Sequence, residues 1–300
     1  MWWFRHIFLF LILFQLFLFE VFLFFMSCTL SYSLLAGMKR IAAAIDILLP
    51  RTCIVCGTRL MSSEQHICLP CAAEMPLTRF WKQCHNPMSD RFNDIIQKNL
   101  INGKAVITMS CHEMPETADV CPASCREPYA YAAALFTYHA EASFRFIPYN
   151  IKYKGDIRAG KYFGRMLGAR LLLEEHWKDA EIIIPVPLHW TRKFRRGYNQ
   201  AEAIASGLAS AMGIPVRNDI IFRHKRTRTQ TKLNMEGKIR NVTGAFRARN
   251  CDPGEYRHII IVDDVFTTGN TLFACFQALR IVFPPSVRIS VATLGFVGGG

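Results

Sequence analysis

Acidic residues are scarce in this 300-residue chain: 23 Asp and Glu stand against 36 Lys and Arg, for a formal charge of +13. The deficit is local. From Arg223 to Arg249 the only acid is Glu236, and Arg192-Lys193-Phe194-Arg195-Arg196 has none. Such stretches leave no place for a cationic ligand and suit a polyanion, either pyrophosphate beside a phosphate loop or nucleic acid. A solvated basic loop explains the same residues without any ligand. Internal repeats are also missing, which excludes solenoids and propellers. The length allows one large or two modest domains with ample core.

Charge is nearly absent from the first segment. Ile7 to Met26 consists of Phe, Leu, Ile, Val and Met, interrupted only by Gln15 and Glu20, and about 20 apolar residues suffice to cross a bilayer. No clean small-x-small site follows, which argues against a cleaved signal. Lys39, Arg40 and Arg51 after the segment, against Arg5 before it, would leave the main domain of an inserted chain in the cytoplasm, anchored to the inner membrane by residues 7–26. A second reading starts translation at Met38, where Met38-Lys39-Arg40-Ile41 opens an ordinary amphipathic stretch, and the membrane is then no partner of a cytoplasmic protein. The organisation expected is a hydrophobic N-terminal segment (1–37), a cysteine module (38–85), a connector or insertion (86–128) and an α/β domain (129–296).

Cysteine, by contrast, is plentiful, and four of the 11 fall as Cys53-x2-Cys56-x11-Cys68-x2-Cys71. Each Cys-x2-Cys makes a tight knuckle that points two thiolates at one ion, so two knuckles predict a closed tetrahedral S4 site for structural Zn2+. Gly57 and Pro70 suit the knuckle turns. A disulfide reading is disfavoured in a reducing cytoplasm. Cys84, Cys111, Cys121 and Cys125 lack the paired spacing and read as scattered thiols.

Residues 86–128, with Asn, Gly, Pro and isolated Cys, read as irregular. Beyond them strand and helix patterns alternate: a strand at Tyr129–Tyr138, a helix over Ile157–Glu174, a strand at Glu181–Pro187, a helix over Asn199–Met212, a strand near Ile220, a strand at Ile259–Val262, a helix over Leu272–Leu279 and a last strand at Val287–Leu294. That order predicts an α/β fold with a mainly parallel sheet flanked by helices.

The densest chemistry lies in Ile259-Ile260-Ile261-Val262-Asp263-Asp264-Val265-Phe266-Thr267-Thr268-Gly269-Asn270-Thr271. Four apolar, β-branched residues fit a central parallel strand, and ligands gather at the carboxyl ends of such strands. A phosphate needs N–H groups, hydroxyls and the positive end of a helix, which Thr267, Thr268, Gly269, Asn270 and Thr271 offer just before a helix. Asp263 and Asp264 would repel a phosphate but can accept hydrogen bonds from the vicinal hydroxyls of a ribose. Paired aspartates after a strand also serve as metal or cap residues, so the loop is needed to make the argument. This motif resembles that of the type I phosphoribosyltransferases, which bind phosphoribosyl pyrophosphate (PRPP).

A second block, Pro185-Val186-Pro187-Leu188-His189-Trp190-Thr191 followed by the basic run and Gly197-Tyr198-Asn199-Gln200, also joins a strand end to a helix start. With Lys152-Tyr153-Lys154-Gly155, Gln230-Thr231 and Arg240-Asn241-Val242, it resembles the ComF competence-protein family, in which a cysteine zinc module precedes a phosphoribosyltransferase-like domain. The resemblance spans roughly residues 38–296. It implies that Arg192, Arg195, Arg196 and Tyr198 bind pyrophosphate, that the basic segment near Thr227–Arg240 closes over PRPP, and that Mg2+ accompanies the ligand. The chain departs from relatives that carry a second Cys-x2-Cys pair. Three functions remain open: transfer of phosphoribosyl to an unknown acceptor with release of pyrophosphate, a non-catalytic factor that binds PRPP and single-stranded DNA with the competence machinery, or a membrane-attached assembly factor, which depends on residues 1–37 being translated. Asp263 and Asp264 would be the catalytic residues of the first.

Overall fold

A run of β-branched residues that is apolar on both faces needs cover on both sides, and the computed structural model provides it. The structure describes residues 50–100, 106–108, 126–188, 197–224, 245–249 and 256–298. The elements in chain order are α1 (Leu69–Ala73), α2 (Pro87–Leu100), β1 (Val106–Thr108), β2 (Arg126–Pro128), β3 (Ala132–Thr137), α3 (Phe146–Tyr149), α4 (Ile157–Leu171), α5 (Glu175–Lys178), β4 (Ile182–Pro185), α6 (Gln200–Met212), β5 (Ile221–Arg223), β6 (Phe246–Ala248), β7 (His258–Phe266), α7 (Asn270–Arg280) and β8 (Arg288–Phe296). Among the described residues two compact units are distinguished: residues 50–53 with Thr58–Gln65, and Ile54–Gly57 with the described residues from His66 onward.

The second unit is built on a parallel sheet in the order β3-β8-β7-β4. Ile182, Ile183, Ile184 and Pro185 of β4 pair with Ile259, Ile260, Ile261 and Val262 of β7, so β7 lies inside the sheet. Alternate residues divide between its faces. Ala132, Ala134, Ile182, Ile184, Ile259, Ile261, Ile289 and Val291 form one core with Met88, Phe92 and Ile96 of α2 and with Leu272, Cys275, Phe276 and Leu279 of α7. The opposite face is covered by α4 and α6.

These two helices touch backbone to backbone. Gly160, Gly164 and Gly168 recur every four residues along one stripe of α4 and face Ala203, Ile204 and Leu208 of α6, while Gly207 of α6 faces the backbone of Lys161 and Arg165. A Cβ on Gly207 would stand 2.0 Å from the carbonyl oxygen of Lys161, and one on Gly164 would stand 2.2 Å from that of Ile204. No side chain fits in either place.

The first part of the stretch expected to be irregular is a helix. Residues 87–100 are the 14-residue helix α2. Asn86 Oδ1 accepts from the N–H groups of Met88 and Ser89, and Ser89 Oγ accepts from Asn86 N–H, a reciprocal cap, with Pro87 at the first helical position. Asn86 Nδ2 also donates to Ala132 O, and Asn93 exchanges hydrogen bonds with Ala130 in both directions. The buried amides of Asn86 and Asn93 thus fasten α2 to the chain at the start of β3. Asn-Pro reads as turn punctuation in sequence; here it is a helix start.

The strand expected near Ile220 is β5, but it lies outside the main sheet and pairs antiparallel with β6. The apolar run of residues 7–26 lies outside the described residues. Among the described residues no helix is long and apolar enough to cross a membrane.

Candidate functional site

Because β4 and β7 are parallel neighbours, their connections leave the sheet at the same edge. Val186 N–H donates to Val262 O at 2.9 Å, extending the pairing one residue past β4. The polypeptide returns at Asn199, a 2 % exposed residue whose Oδ1 caps α6 and whose Nδ2 donates to Val186 O at 3.0 Å. The connection is therefore closed at its base. Arg192, Arg195 and Arg196 lie outside the described residues, as does the basic segment 225–244.

Asp263 and Asp264 end the apolar run of β7 and point to opposite sides of it. Asp263 shares a side with Ile259 and Ile261, toward α7. Its Oδ1 accepts from Asp264 N–H, and Asp264 Oδ1 accepts from Val265 N–H, both at 2.9 Å. Burial, and then the neighbouring charge of Asp264, push the Asp263 carboxyl well above the usual carboxylate range. Asp264 is 7 % exposed, and its Oδ2 faces the Lys152 ammonium at 3.4 Å.

Lys152 comes from a π-helical turn, Asn150–Lys154, closed by left-handed Gly155 at φ 75°. Single π turns mark functional places in many helices. A Cβ on Gly155 would stand 3.8 Å from Cε1 of Tyr198, so the tyrosine of the second loop lies against the Lys152 turn. Lys152, Tyr198 and Asp264 thus gather although 112 positions of sequence separate the first from the last. The sequence assigns Lys152 no role of its own; the glycine that ends its basic and aromatic run is the one local signal of it.

Past Asp264, Thr267 is exposed and Thr268, Asn270 and Thr271 are half-buried. Gly269 is left-handed at φ 78° and caps α7. A Cβ there would come within 2.8 Å of both Ile95 and Phe266, so glycine is required twice over. The helix begins at Asn270, two residues earlier than its apolar pattern suggests, which places Asn270 and Thr271 in the first turn. Its opening N–H groups lack intrahelical acceptors, as at every helix start, and can receive an anion.

The four predicted zinc ligands are brought together. The sulfurs of Cys53, Cys56, Cys68 and Cys71 all lie within 4.8 Å of one another, close to the spacing of about 3.8 Å between thiolates bound tetrahedrally at 2.3 Å. Cys53 N–H donates to Thr58 O at 2.8 Å across the first knuckle, which left-handed Gly57 at φ 77° completes. The set fits a structural zinc. Cys84 lies outside this group, and Cys111, Cys121 and Cys125 lie outside the described residues.

A further polar trio, which the sequence reading did not find, has the look of a catalytic triad. His258 contacts Asp179 through Nδ1 at 2.6 Å and Ser290 through Nε2 at 2.8 Å. His258 and Ser290 are fully buried, and the trio lies at the amino end of β7, away from Asp263. Ser290 Oγ already accepts from Tyr131 N–H, so its hydroxyl is left to donate to His258. No substrate can reach it; it is a satisfied core network.

Comparison with known proteins adds names to this geometry. The family described as "Double zinc ribbon domain" matches residues 44–92. Competence protein F of Haemophilus influenzae is 43 % identical over 104 residues, 34 % of this chain and 45 % of the relative. DNA utilization protein YhgH of Salmonella typhimurium is 38 % identical over 119 residues, 37 % and 52 % of the two chains. Competence protein ComFC of Streptococcus pneumoniae is 26 % identical over 161 residues, 53 % and 67 %. The chain spans about half the length of the first two of these relatives. Solved structures that match include an allosteric regulatory enzyme of purine biosynthesis, 21 % identical with a TM-score of 0.29 over 44 % of this chain and 25 % of the other. They also include a hypoxanthine-guanine phosphoribosyl transferase of L. donovani, 18 % identical with a TM-score of 0.26 over 46 % and 67 %.

Proposed function

We propose that this chain binds PRPP at the carboxyl ends of β4 and β7 and transfers the phosphoribosyl group to an acceptor, releasing pyrophosphate. The observation that carries the reading is the acid pair Asp263–Asp264 at the end of a central strand, followed at once by left-handed Gly269 and the start of α7. In this reading the carboxylates hold the ribose hydroxyls, the Thr267–Thr271 turn takes the 5'-phosphate, and Tyr198 with Arg192, Arg195 and Arg196 takes the pyrophosphate. The anomeric carbon passes through an oxocarbenium-like state that the acceptor attacks, so no protein nucleophile is needed. Positioning and charge do the work. Mg2+ would neutralise pyrophosphate charge, and the carboxylate oxygens of Asp263 and Asp264 are the hard ligands suited to it.

We infer a second reading, suggested by the words competence and DNA utilization in the relatives' names, in which the same site binds PRPP without turnover and the basic residues meet single-stranded DNA. Residues 192–196 and 223–249 supply the charge for it. A cytoplasmic place, or an inner-membrane one held by residues 7–26, belongs with either reading.

Calorimetric titration of PRPP with Mg2+ into the zinc-loaded protein tests both. Binding that Asp263→Asn/Asp264→Asn abolishes supports the site, and pyrophosphate release in an acceptor screen then selects catalysis. Absence of binding to well-folded protein refutes it.

A further inference from the structure

Beside the acid pair the surface turns aromatic. Tyr149 and Tyr153, four residues apart, project from the same side of the Phe146–Lys154 turns. Their ring centroids are 5.1 Å apart and their planes open at 45°. They are 48 % and 63 % exposed, far more than a core packing role requires. Phe146, 37 % exposed, lies three residues before Tyr149, and the Arg145 guanidinium sits 5.1 Å from its ring centroid. The segment from Arg145 to Gly155 contains two lysines, one arginine and no acid.

Lys152 joins this surface to the site. Its Nζ is 6.0 Å from the Tyr153 ring centroid and 3.4 Å from Asp264 Oδ2. The flat, exposed rings are therefore one lysine side chain away from the carboxylate.

We propose that the Tyr149–Tyr153 pair is a stacking platform for a nucleobase delivered to the Asp263–Asp264 site. Aromatic rings interleaved with cations suit a planar heterocycle tied to phosphate; stacking tolerates any base, and the ammonium groups meet the anion. An apolar protein surface would gain nothing from Lys152 and Lys154, and an acidic one would not need the rings. What the base does once docked, acceptor or passing strand, rests on the proposed PRPP reading. The base itself comes either from a free nucleotide or from a single strand.

Photo-crosslinking of the full-length protein separates these sources. One arm uses 5-iodouridine monophosphate and the other a 12-mer oligonucleotide carrying 5-iodouracil, with crosslinked peptides identified by mass spectrometry. Crosslinks at Tyr149 or Tyr153 are expected, and Tyr153→Leu should weaken binding of the reactive probe about tenfold, with Tyr153→Phe restoring it. The arm that crosslinks names the source. Crosslinks confined to other segments, binding of neither probe, or a Tyr153→Leu protein of unchanged melting temperature that binds like the parent would each overturn the platform. PRPP calorimetry on the unaltered protein decides the other reading independently: crosslinks at the tyrosines without PRPP binding would keep the platform and remove the transferase.

Discussion

Lys152 Nζ stands 3.4 Å from Asp264 Oδ2, joining a π turn before α4 to the carboxyl end of β7. Asp264 is buried, so removing the cation leaves a carboxylate with little water around it. The lysine side chain is 35 % exposed, and solvent screens its half of the pair. Lys152→Met should therefore cost only ~1 kcal/mol in urea unfolding, well short of a fully buried pair. Lys152→Arg should recover most of it.

The Asp263 carboxyl, held high by burial and by Asp264, gives a pH dependence of definite sign. A raised acid favours the folded state below its unfolded value of about 3.9, and that contribution is lost as pH rises toward the folded value. Asp263→Asn keeps the acceptor for Asp264 N–H and carries no charge. The ligand-free variant should match the parent near pH 4 and exceed it by ~1 kcal/mol at pH 7, a stability gain of the kind common at functional sites. Parallel denaturation series at the two pH values check this.

At the contact of α4 with α6, Gly207→Ala places a methyl carbon 2.0 Å from Lys161 O. The helices must separate, and the loss should be ~3 kcal/mol. Gly213→Ala meets no atom within 4 Å but must hold φ 73°, a strain of ~1 kcal/mol. Thermal unfolding of the two variants should rank them in that order.

Removing zinc should act locally. Treatment with a strong chelator is expected to release one zinc per chain and unfold the knuckles around Cys53–Cys71, while far-UV dichroism keeps the signal of the α/β unit. Cys68→Ser should behave like the chelated protein. A metal assay with a chromogenic chelator reads the stoichiometry.

Burial holds the His258 imidazole below its ordinary value, against the pull of Asp179. A base depressed in the folded state stabilises fully above its unfolded value of about 6.5, and that stability is lost as pH falls below it. The melting temperature should drop between pH 7 and 5. His258→Gln, which can still bridge Asp179 and Ser290, should flatten the drop, leaving the smaller part due to His176, also lowered by burial.

Much of the fold was legible because its signals are local. Ile259–Val262 shows a strand buried on both faces, Asn199 caps a helix where the pattern changes period, and Cys53-x2-Cys56 fits one knuckle. Helix α2 was missed because its apolar contacts, Met88, Phe92 and Ile96, are spread among polar residues, and its cap, Asn86, owes much of its role to a hydrogen bond with Ala132. Strand β5 was found, but its apolar residues do not reveal that it pairs outside the main sheet.

The sequence by itself determined the chemistry at hand: four thiols at metal spacing, two carboxylates and a threonine-glycine turn at the end of a β-branched strand. These follow from residue type and short-range geometry. Only the tertiary structure decided which distant groups meet them. It seats Lys152 on Asp264 and Tyr198 against Gly155, and it buries His258 and Ser290, with Asp179 beside them, at the opposite end of the sheet. Strand order and helix packing set those contacts, and they depend on how whole faces are buried together, which no spacing along the chain records.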